Sequence, residues 1–147
     1  MLTEQGWCLW KKAKFIKQNE LKSEFKPEYY YNQIDILSSA AMTYGSFSSY
    51  IRYLHAYNLI HYLDKAEKAQ PHTEFLVSLN NRRPSHMSLH AQALYQQHNC
   101  EYVKIDKQQS RACHKHKNCS KTTLNWIYWR LEQNTKNSWC SAPQLRR

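Results

Sequence analysis

Apolar and small residues fall at helical spacing through the middle of the chain, where the run reads Leu37-Ser-Ser-Ala-Ala41-Met-Thr-Tyr-Gly45-Ser-Phe-Ser-Ser-Tyr-Ile51-Arg-Tyr-Leu54. Two helices that cross closely need a small residue at the crossing, and the turn between them needs one that tolerates positive φ. Ala41 and Gly45 meet these demands, and Ile51 and Leu54 point a second helix back onto the first. The chain has only two glycines, Gly6 and Gly45, which gives the second one weight as a turn signal.

Residues 1–26 read as a helical arm, with Trp7, Trp10, Lys14 and Lys17 at helical spacings and Phe15, Ile16 and Leu21 as packing residues. Pro27 and Glu28 suit the start of a helix that places Tyr30, Ile34 and Leu37 on one side. Ser38 and Ser39 can cap a short helix to about Tyr44, and Ser46 or Ser48 the next one to about Tyr57. Tyr50, Ile51, Leu54 and Tyr57 form the inward stripe of that helix, and Asn58 is its stop. Leu59-Ile-His-Tyr-Leu63 alternates, and Thr73-Glu-Phe-Leu-Val-Ser-Leu79 has β-branched and aromatic content, so the two predict strands of a hairpin around a polar loop broken by Pro71.

Beyond a basic joint around Pro84, a helix is predicted from Ser85 to His98 with Met87, Ala91 and Leu94 on one face. Glu101-Tyr-Val-Lys-Ile105 alternates as a short strand, and residues 106–119 are basic and irregular. Ser120 caps an aromatic helix, KTTLNWIYWRLEQ, and a loose tail follows. No internal repeat stands out.

Three helices followed by a hairpin resemble the winged-helix family of DNA-binding domains over about residues 28–80. Tyr50-Ile-Arg-Tyr-Leu54-His-Ala-Tyr-Asn-Leu59-Ile60 looks like that family's recognition helix leading into its first wing strand. One departure is Ser46, where the residue after the turn glycine is usually apolar. The resemblance implies an α+β fold, mostly helical, with a winged helix-turn-helix over 27–80 between an N-terminal arm (1–26) and a basic, aromatic C-terminal region (81–147). It also implies that Ser46, Ser48, Ser49, Arg52, Tyr53 and His55 face the major groove. Arg52 is then the guanine reader, and the serines and Tyr53 meet phosphates. Lys65, Lys68 and His72 would lie along the neighbouring backbone, and Arg82 and Arg83 extend the basic surface.

Charge agrees with such a partner. Across 147 residues, 21 Lys and Arg oppose 11 acids, a formal net charge of +10 that fits a polyanion. With 41% hydrophobic and 14% aromatic residues the chain can build a core. No stretch approaches a membrane span and the N-terminus lacks a secretory h-region, so the expected location is cytoplasmic. Five scattered cysteines argue for reduced thiols.

Two further clusters carry chemistry. Cys100, Cys113, His114, His116 and Cys119 have the ligand types zinc prefers, but no C-x-x-C pair anchors them, so no metal or other cofactor is expected. Asn118-Cys-Ser-Lys-Thr-Thr-Leu124-Asn-Trp-Ile127 also looks like a turn entering a helix, with Asn118 in the left-handed region and Leu124 and Ile127 inward. Trp7, Trp10, Trp126, Tyr128, Trp129 and Trp139 could stack bases, but packing of the terminal helices or a homodimer interface explains them more simply. Paired carboxylates, phosphate loops and nucleophile elbows are all missing, which points away from an enzyme. The expectation is a duplex-DNA-binding transcriptional regulator. The alternative is a basic interaction module that docks on or inhibits a nucleoprotein assembly.

Overall fold

The computed structural model describes residues 2–19, 26–43, 48–80, 82–104 and 114–135. The described chain is mostly helical: α1 (Leu2–Asn19), α2 (Pro27–Thr43), α3 (Ser49–His61), α4 (Ala66–Ser78), α5 (Pro84–Gln97), strands β1 (Glu101–Lys104) and β2 (His114–Lys117), and α6 (Lys121–Thr135). It divides into two compact units, Met1–Lys65 and Ala66–Arg147. The boundary falls inside the segment expected to be one winged module.

In the first unit α1, α2 and α3 close around Trp10, Ala13, Ile16, Tyr30, Tyr31, Ile34 and Leu54. Asn58, fully buried, joins all three helices. Its Oδ1 accepts from Trp10 Nε1 at 2.9 Å, and its Nδ2 donates to the Tyr31 carbonyl at 2.9 Å. A buried amide is tolerated only because both ends are satisfied. Asn58 is therefore a bolt within the helix and not its stop. The left-handed residue after α3 is Asp64, at φ 53°.

Two sequence expectations fail here for identifiable reasons. Ser38 does not start a helix; α2 runs unbroken to Thr43. The Ser38 hydroxyl bonds back to the carbonyls of Ile34 and Asp35, so it is absorbed within the helix. Leu59–Leu63 is not a strand either, because Ile51, Leu54, His55, Asn58 and Leu59 are buried together at helical spacing. Gly45, Ser46 and Phe47 lie outside the described residues.

The second unit packs α4, α5, α6 and the hairpin around Val77, Met87, Ala91, Leu94, Tyr95, Leu124, Ile127, Tyr128 and Leu131. The predicted second wing strand, Thr73–Leu79, lies mostly in α4, where Ala66, Ala69, Thr73, Leu76 and Val77 are buried at helical spacing. Pro71 sits inside this helix. The carbonyl its ring leaves without a helical partner belongs to Glu67, and both residues are exposed, so water can take that acceptor. α5, β1 and α6 arise where the sequence places them. Asn118 has φ 57°, and the Ser120 hydroxyl accepts from Thr123 N at 3.2 Å as the cap of α6. The only hairpin among the described residues is β1–β2, antiparallel, with Glu101 opposite Lys117 and Lys104 opposite His114.

An internal repeat does exist, at a displacement of 35 residues. Leu54-His55-Ala56-x-x-Leu59 returns as Leu89-His90-Ala91-x-x-Leu94. In each copy the histidine Nδ1 meets a hydroxyl 17 residues earlier on the preceding helix: Ser38 Oγ at 2.6 Å and Thr73 Oγ1 at 2.8 Å. Each hydroxyl also lies within hydrogen-bonding distance of a carbonyl of its own helix. Left-handed Asp64 and Asn99 end the two copies at equivalent points. Burial follows the same register, with Ile34, Ala41, Leu54 and Leu59 matched by Ala69, Leu76, Leu89 and Leu94. Four side-chain identities in so long a segment are too few to be seen without the shared hydroxyl–histidine geometry.

Candidate functional site

The residues expected to face DNA are distributed over both units. In the first, Ser48 is exposed and caps α3, its Oγ accepting from Tyr50 N at 3.2 Å. Ser49 and Arg52 are half-buried, and Arg52 Nε is fully covered. Tyr53 is half-buried, and burial, then neighbouring Tyr57 and Tyr50, pushes its phenol up. His55 is a correction: at 5% exposure it points into the unit, held by Ser38 with the Asp35 carboxylate 3.5 Å away. Both oxygens meet the same ring nitrogen, so this Ser–His–Asp group lacks the geometry of a nucleophilic triad, in which acid and hydroxyl serve opposite nitrogens. Lys65 is exposed at the end of the first unit.

In the second unit Lys68 is exposed and His72 half-buried, both on α4 rather than on a hairpin loop. Arg82 and Arg83 lie in the turn between α4 and α5. Arg83 is exposed at the N-cap, with Pro84 in the first turn. The Arg83 backbone N–H donates to His86 Nδ1 at 3.2 Å, which requires that nitrogen to be unprotonated. Burial, then the Arg83 charge, lowers the His86 pKa and keeps the cap intact. After α5 comes the hairpin, whose strands carry Lys104, His114, Lys115, His116 and Lys117. The antiparallel hairpin thus follows α5 and not α3, where the sequence placed it.

Cys100 and Cys119 are joined in a disulfide, which ties the start of β1 to the residues entering α6. The expectation of reduced thiols is overturned for this pair, and both sulfurs are taken from the zinc candidates. Cys113 lies outside the described residues. No three metal-ligand side chains come together among the described residues. Cys8 is free and exposed.

One concavity was not anticipated as a site. It opens between α1 and α3, about 770 Å³ in volume, and every residue lining it belongs to the first unit. Lys11, Lys14, Lys17 and Gln18 edge it from α1, and Tyr53 and Tyr57 from α3. Trp7, Trp10, Tyr31 and Tyr62 supply further aromatic surface. Trp7 and Trp10 meet edge to face at 4.8 Å, and Tyr31 and Tyr62 stack at 4.4 Å with 11° between planes. Trp10 lies 5.3 Å from Tyr57. The tryptophans and lysines of α1 were legible at helical spacing, but their meeting with α3 includes a hydrogen bond to Asn58, which the sequence suggested as a helix end.

No family model matches the chain, and neither a curated protein nor a solved structure does. No helix among the described residues is long and apolar enough to cross a membrane.

Proposed function

We propose that the protein binds duplex DNA, as a regulator of transcription, through a winged arrangement formed by α4, α5 and the β1–β2 hairpin. The observation that carries this reading is the Arg82-Arg83 turn leading into α5, followed directly by a lysine-bearing antiparallel hairpin. The positive end of the α5 dipole lies at this turn with the Arg83 guanidinium beside it, a setting that favours a phosphate. A net charge of +10 supplies attraction at longer range.

The test is a salt titration of duplex binding, with bound duplexes also selected from a random pool. Log affinity falls linearly with log salt, and replacing Arg82 and Arg83 together by alanine flattens the slope by roughly one to two units. Sequence preference survives that change, because phosphate contacts position without specifying. A salt-independent interaction, or an unaltered slope in the double variant, removes the reading. Trp126 and Trp129, exposed on α6, favour a protein contact as the second reading, either a homodimer or docking on a nucleoprotein assembly.

A further inference from the structure

We propose that the cleft between α1 and α3 is a site for unpaired nucleotides, with bases stacking on its aromatic walls and phosphates held by Lys11, Lys14 and Lys17. This site lies in the first unit and does not depend on the duplex reading.

Three observations converge on base plus phosphate as the ligand chemistry. First, the aromatic surface is only partly used by the fold. Trp10 and Tyr31 are buried in the floor, whereas Trp7 is 36% and Tyr62 40% exposed at the opening. Flat π-faces left in water at a concave opening gain most from another planar ring, and every nucleobase offers one. Second, Lys11, Lys14 and Lys17 recur every three residues, along about 9 Å of helix axis. None of the lining residues is acidic, and the ion pairs of the described residues do not involve these lysines. Like charges on successive turns repel, and a run of phosphates relieves that repulsion while a neutral ligand does not. Third, the volume of about 770 Å³ is within the range of pockets that enclose small ligands, and larger than one base requires. In the floor, Trp10 is hydrogen-bonded to Asn58 and Tyr31 is stacked on Tyr62.

A paired base cannot enter, since its faces are covered by neighbours in the stack, so the occupant is a single strand, a strand end or a free nucleotide. Fluorescence anisotropy of the full chain with a labelled thymidine 12-mer reads the binding. A 12-mer of abasic sugar-phosphate is the charge-only control, and thymidine monophosphate the competitor. The base-bearing strand should bind about tenfold or more tightly than the abasic one. Trp7→Leu should weaken strand binding roughly fivefold or more. A Lys11→Gln/Lys14→Gln/Lys17→Gln variant should weaken it further and flatten its salt dependence. These four residues are exposed, so an unchanged melting curve confirms that the unit is intact. Displacement by the mononucleotide assigns the site to free nucleotide, and failure to displace assigns it to the strand; both keep base and phosphate as the ligand. Equal affinity for the abasic strand, no affinity for either strand, or an unaffected Trp7→Leu variant overturns the proposal. The Arg82/Arg83 variant should retain strand binding, so loss of duplex affinity alone bears only on the other reading.

Discussion

Replacing Asn58 by leucine tests whether one buried amide sets the geometry of the first unit. The side chain is fully buried and makes two bonds of 2.9 Å, one to the Trp10 indole and one to the Tyr31 carbonyl. Leucine has similar bulk, so the loss is chiefly polar. The Tyr31 carbonyl keeps its helical partner within α2, but the indole N–H, on a side chain 7% exposed, is left without its acceptor. A buried donor stranded in this way costs ~1–3 kcal/mol, and loss of the second bond about 1 kcal/mol more. The expected destabilisation is therefore about 2–4 kcal/mol, read by urea unfolding with circular dichroism. The mechanism has its own control. Trp10→Phe removes the stranded donor, so the double variant should be more stable, by about 1 kcal/mol or more, than the sum of the two single effects predicts. Strict additivity, or a cost below about 0.5 kcal/mol for Asn58→Leu, would falsify the bolt. Because Asn58 fixes Trp10, the same variant should also weaken strand binding in the cleft.

Acid should destabilise the second unit. Burial holds the His90 pKa down to about 4 from 6.5, so the unfolded chain takes up a proton that the folded one refuses. Stability is then full above pH 6.5 and falls as pH drops toward 4, by roughly 3 kcal/mol. Urea midpoints across that range in wild type and His90→Gln check this, and an identical slope in both would assign the effect elsewhere. Reduction of the Cys100–Cys119 bond, which spans 19 residues, should cost about 3 kcal/mol by releasing a closed loop in the unfolded chain. Thermal melting with and without reductant measures it, and Cys119→Ala should abolish the difference.

Helices with a clear apolar stripe and a local start signal were legible in the sequence. α6 shows this best, since Ser120 caps it and Leu124 and Ile127 bury as spacing requires. α5 and β1 were equally readable. The predicted hairpin failed because Leu59–Leu63 and Thr73–Leu79 are short apolar runs in which alternation and helical periodicity overlap, and burial against neighbouring helices decided for the helix. His55 was misassigned because an imidazole was expected to face water, whereas a hydroxyl on α2 and the nearby Asp35 carboxylate receive it inside. The cleft was illegible for a different reason. Its walls come from α1, α2 and α3, and no local pattern shows that an asparagine on α3 will hold an indole from α1.

The recurrence between the two helix pairs also bears on how the chain avoids folding incorrectly. Neighbouring segments that share a blueprint can exchange partners during folding, a hazard of tandem repeats. Here the copies agree at the histidine and its flanking apolar residues but differ where each is finished. Asn58 in the first corresponds to Ala93 in the second, both fully buried. An α3 segment seated in the place of α5 would bury an amide where the native residue is a methyl group, without the indole and carbonyl that satisfy it at home. An α5 segment seated in the place of α3 would strand that indole. Each helix is thus penalised in its sibling's position, and divergence at a single interior site works as a proofreading device for assembly.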